Sequence, residues 1–126
     1  MGEGFIVLGL AVALLAGPAA AQDAARQNDD CRTYDARGKL TWRQETDPVI
    51  DACTAIIQAG KEAGRRLVDA YVSRGNAYRI QHQPDRAIAD FDAAIRLDPN
   101  IAEAESYREQ AIAERDAAIR AKAGTK

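Results

Sequence analysis

Between Val68 and Asn100 small, large and turn-forming residues follow one another at helical spacing, and no other stretch restricts the fold as much. Ala87, Ile88, Phe91, Ala94 and Ile95 recur at i, i+1, i+4, i+7 and i+8, which draws one apolar stripe along a helix. Arg86, Asp90, Asp92 and Arg96 fall between and are expected to face water. Upstream, Leu67, Val68, Tyr71, Val72, Arg74 and Tyr78 predict a first helix over 65–81. Pro84 suits the first turn of the second helix, where a missing N–H costs nothing, and Asp85 beside it suits the positive helix end. Pro99 closes the unit, because the residue before a proline avoids helical geometry. Gly75 sits mid-helix at a cost of roughly 1 kcal/mol relative to Ala, so a neighbouring backbone is expected to need the room. Gly75, Ala87 and Ala94 let two antiparallel helices approach closely, and Tyr71, Tyr78 and Phe91 fill the space around them.

Set in register, these residues read Tyr71-x2-Arg74-Gly75-x2-Tyr78, then Ala87-x3-Phe91, Ala94 and Pro99. The order resembles the tetratricopeptide repeat, a helix–turn–helix unit of about 34 residues. The resemblance implies an all-α fold of about one and a half to two such hairpins plus a C-terminal capping helix. Residues 48–59 resemble the second helix of a preceding copy: Val49, Ile50, Cys53, Ile56 and Ile57 repeat the stripe of Ala87 to Ile95, with Cys53 in the place of Phe91. That offset exceeds the family period by about four residues, one helical turn. The excess is expected within Gly60 to Arg66, as a longer loop or an extended first helix, with Gly60 as a C-cap. Asp47-Pro48 reads as N-cap and first helical residue, and Asn100-Ile101-Ala102-Glu103 resembles a capping box. Residues 101–122 carry no Gly-Pro punctuation and predict one long helix, the polar-faced terminal helix that a repeat stack needs.

The rest of the chain divides by composition. Phe5 to Ala16 is an apolar run, Gly17-Pro18 breaks it, and Ala19-Ala20-Ala21 offers an A-x-A cleavage site, so residues 1–21 are expected to be a signal peptide removed before Gln22. The region before the run holds Glu3 and no Lys or Arg, which points to a misassigned start or a weaker signal; an uncleaved anchor is the competing reading, although the run is shorter than the roughly 20 residues of a span. Export places the protein in a periplasm or outside the cell. Residues 22–47 are expected to be mostly irregular, with a short helix around 23–33 and Trp42 packed onto the helices. Residues 48–122 form the helical domain and 123–126 a flexible tail.

The cysteine count and the charge bound the chemistry. Cys31 and Cys53 both lie in the exported part, so an oxidising compartment favours a disulfide between them; two free thiols, with Cys53 as a small core residue, are the alternative. The spacing fits no zinc pattern, the single His82 is distant, and there is no C-x-x-C, so no metal, cofactor or redox role is expected. Gly38-Lys39 fails as a phosphate loop because Thr33 stands where the leading Gly belongs and Leu40 where a Ser or Thr would meet magnesium. A net charge of −2 with well-mixed signs gives no nucleic-acid footprint. One His and no nucleophile–base set leave no catalytic residues to name, and Asp90, Asp92, Glu103, Glu105 and Glu109 read as solubilising.

The family resemblance implies a peptide-binding scaffold whose first helices line a groove. Carried over residue by residue, the groove positions are Asp69, Val72, Asn76 and Arg79, with Glu103, Ser106, Gln110 and Ala113 as their equivalents on the last helix. An Asn at position 76 could clamp the main chain of an extended peptide, while the family's carboxylate-binding version would place further Lys or Arg where Val72 and Ser106 stand. The competing reading makes Asn76 and Arg79 ordinary structural or solvated residues. The expected function is a non-catalytic protein–protein interaction module that takes a protein or peptide partner. The alternative is self-association as a homo-oligomer of the cell envelope, because so few repeats leave faces to cover.

Overall fold

In the computed structural model, residues 18–31 and 46–125 are described. They form five helices and, among the described residues, no strand: α1 (Pro18–Cys31), α2 (Thr46–Ala59), α3 (Arg65–Ile80), α4 (Pro84–Leu97) and α5 (Ala102–Gly124). Each helix packs on the next, α3 also touches α1, and α5 also touches α3. The fold is therefore two successive hairpins, α1/α2 and α3/α4, closed by a single long helix. The expected signal sequence before Pro18, and Gly38, Lys39 and Trp42, lie outside the described residues.

Helix α3 is the centre of the packing, and its sequence shows why. Val68 and Val72 enter one apolar cluster with Ala87, Phe91 and Ala94 of α4 and Ala104 and Ala111 of α5. Ala70 and Ala77 enter a second cluster with Val49, Ala52 and Cys53 of α2 and Cys31 of α1. Small residues on both sides let four helices crowd around α3.

Gly75 explains the crossing of α3 and α4. A Cβ at this position would lie 2.7 Å from Cε1 of Phe91 and 3.1 Å from Cδ1 and Cζ. The room left by glycine is thus filled by an aromatic ring, not by the neighbouring backbone that the sequence alone suggested. Phe91 is fully buried, and its ring centroid lies 5.9 Å from that of Tyr107 on α5.

Several ends differ from expectation. Helix α1 covers most of the short helix expected around 23–33 but begins earlier, at Pro18, so it crosses the expected cleavage position. Helix α2 starts at Thr46, which puts Asp47 in its first turn and not at the N-cap. Helix α5 makes no side-chain capping bond: its N-cap is Ile101, and Asp98 Oδ1 instead accepts the N–H of Asn100 at 3.1 Å. Asp98 precedes Pro99 and is forced into extended backbone, which frees its carboxylate to close the turn. Helix α5 also runs on to Gly124 rather than giving way to a tail at 123.

The α2–α3 connection carries the extra turn. Relative to Val68, where the repeat begins, α3 has three additional residues, Arg65 to Leu67, and the connection 60–64 is one residue longer than 98–101. Gly60 follows the last residue of α2 at φ +64°, the left-handed conformation that ends many helices. The α3–α4 turn uses the same device without glycine. His82 has φ +57°, its N–H donates to Arg79 O, and Gln83 N–H donates to Tyr78 O, which together satisfy two carbonyls at the end of α3.

Cys31 and Cys53 form a disulfide with Cα atoms 4.8 Å apart. It joins the last residue of α1 to the middle of α2. Closing a loop of this length stabilises by roughly 3 kcal/mol in the chain-entropy account.

Candidate functional site: the faces of α3 and α5

An ion pair inside the hairpin decides which residues remain available. Arg74 Nε donates to Asp90 Oδ2 at 2.8 Å and Nη2 donates to Oδ1 at 2.7 Å, a two-pronged contact from α3 to α4. Nη1 donates to Thr54 Oγ1 at 3.0 Å, which brings in α2. The guanidinium also sits 5.8 and 5.9 Å from the ring centroids of Tyr71 and Tyr78. Hydrogen bonding to Asp90 holds Arg74 still more firmly in its charged form, against the opposing effect of burial. Asp90 is buried, so the expectation that it faces water as a solubilising charge is overturned. It stands one residue before Phe91, on the edge of the stripe, and a helix edge is covered once a third helix packs alongside.

The residues expected to line a groove separate into two sets. Val72 and Asn76 are only 2% and 1% exposed, inside the core rather than on an open wall. The reason is the central position of α3: with neighbours on both sides, its groove-facing arc is narrow, and the alanines of α5 bring that helix close. Asp69 is half-buried and accepts a hydrogen bond from Arg65 Nε at 3.0 Å. Arg79 reaches across to α5, where Nη1 donates to Glu114 at 2.8 Å and the guanidinium lies 6.0 Å from the Tyr107 ring centroid. Only the α5 positions are freely presented: Glu103, Ser106, Gln110 and Ala113 are all exposed, and Gln110 Nε2 donates to Ser106 Oγ at 3.4 Å.

The long helix α5 also presents a second face. Beyond the α3–α4 turn it overhangs the hairpin and encloses an open groove with the start of α4. Residues 115–122 of α5 contribute one wall and residues 82–86 the other. No single stretch of sequence encodes this groove, because it depends on α5 being longer than α4. The relevant cue was the missing punctuation after residue 115.

Among the described residues no group of three His, Cys, Asp or Glu side chains is placed to hold a metal ion, and no helix is long and apolar enough to cross a membrane. The architecture is that of a helical-hairpin repeat protein in which α3/α4 is the complete unit. Residues 68–101 match the family model for the tetratricopeptide repeat, so this segment is a tetratricopeptide repeat, which supports a protein of that type. No curated protein and no solved structure matches the chain. Repeats of this family are generally non-catalytic and suggest a protein–protein interaction module.

Proposed function

We propose that the protein is an exported interaction module that receives a segment of a partner protein along the polar face of α5 beside α3. The observation that carries this reading is the repeat at residues 68–101 followed by a helix whose Glu103, Ser106, Gln110 and Ala113 are exposed at the positions where such repeats take their partners. Asp69 and Arg79 border that face, whereas Val72 and Asn76 act beneath it by fixing α3. Binding is rigid: a preformed surface meets an extended or helical segment and little ordering is required. Export is supported by the apolar run Phe5 to Ala16, the alanines before Gln22, and a disulfide of the kind that persists in oxidising compartments.

A photo-crosslinking amino acid at Ser106 or at Gln110, in cells that make the protein naturally, tests this. The expected result is a discrete adduct with another protein from both positions and none from the exposed control Arg96 on α4. Adducts of twice the chain mass alone would assign the face to self-association instead. Equal yields from position 96 would refute the reading.

A further inference from the structure

Ala104 and Ala111 of α5 are completely buried against the hairpin. Seven residues on, and on nearly the same helical face, Ala118 is exposed. The packing face of α5 continues after the hairpin has ended at the His82–Gln83 turn. The space left beneath this overhang is a groove of about 720 Å³.

Its chemistry is lopsided. Arg86, Arg115 and Lys122 line it, and among the described residues Asp85 is the one carboxylate in its wall, in a chain whose net charge is −2. Asp85 stands at the rim, 84% exposed, and its Oδ1 lies 3.9 Å from Arg115 Nη1; Arg115 is more tightly held by Asp116 at 3.1 Å. Among the described residues, neither Arg86 nor Lys122 has a carboxylate within ion-pair distance. Arg86 is steadied by the Tyr78 ring, 5.5 Å from its centroid. The N-terminus of α4 opens here, and its N-cap Gln83 makes no side-chain capping bond. Between the cations lie Pro84, Ala118 and Ile119, the last 58% exposed.

We propose that this groove docks an acidic segment of a partner protein, one that alternates carboxylates with apolar side chains. The carboxylates pair with Arg86 and Lys122, and an apolar side chain rests on Ile119 and Pro84. The surface is on the opposite side of α5 from Ser106 and Gln110, so it stands independently of the reading above.

Fluorescence polarisation on the oxidised protein tests it, with labelled, end-blocked peptides of alternating Glu and Leu, and of alternating Gln and Leu. The Glu peptide is expected to bind about tenfold or more tightly than the Gln peptide, and to weaken as salt is raised, because exposed charges are screened. Arg86→Glu with Lys122→Glu is expected to weaken the Glu peptide about tenfold or more. Lys122→Glu alone, which touches no packed ring, gives a smaller loss in the same direction and guards against a folding defect in the double variant. Indifference to Glu against Gln, unchanged affinity in both variants, or capture by phosphatidylglycerol vesicles in preference to the peptide would overturn the assignment.

Discussion

Replacing Gly75 by Ala sets two effects against each other, and the structure decides which wins. Alanine is the better helix former by about 1 kcal/mol, so on an open helix face the change would stabilise. Here the new methyl would sit 2.7 Å from Cε1 of Phe91, closer than carbon atoms pack. The ring cannot swing aside cheaply, since Phe91 is fully buried and Tyr107 stands next to it. Inserting a methyl into such a core typically costs 1–3 kcal/mol, about 2 here. The net expectation is a loss of about 1 kcal/mol, or about 4–8 °C in Tm for a domain of this size. The same substitution in a Phe91→Leu background has room, so the helix-propensity gain survives and Gly75→Ala becomes stabilising by about 0.5–1 kcal/mol. A double-mutant cycle from urea unfolding of the oxidised protein should therefore show a coupling of about 1.5–2 kcal/mol between the two positions. If Gly75→Ala stabilises the parent protein, or the coupling is below about 0.5 kcal/mol, the close approach does not explain this glycine.

Asp90→Ala is expected to cost about 3 kcal/mol in urea unfolding, because it leaves the Arg74 guanidinium largely buried with only Thr54 as a polar partner on α2. A cost below about 1 kcal/mol would mean that the pair is worth no more than an exposed one. His82→Gly is expected to stabilise by about 0.5–1 kcal/mol, since glycine adopts the left-handed conformation at φ +57° without the steric cost a Cβ incurs. A lower Tm for that variant would show that the imidazole makes a contribution larger than its backbone strain.

Much of this was legible in residue order. The stripe Ala87, Ile88, Phe91, Ala94, Ile95 and the prolines at 84 and 99 determine where the α3/α4 hairpin turns and ends, because helix periodicity and proline geometry are local properties. The pairing of Cys31 with Cys53 was favoured over two free thiols by the even count together with the expected export. Asp90 was not legible, and Asn76 was legible as a structural residue only as one of two readings: each is polar and looks surface-bound until a third helix packs alongside, and burial is a property of neighbours distant in sequence. The same holds for the groove under α5, which exists only because one helix outlasts the hairpin it packs against. Local sequence thus set the helices, their turns and the small residues that allow contact. Tertiary structure alone decided which faces those contacts consumed, because each face is shared between elements that meet only after folding.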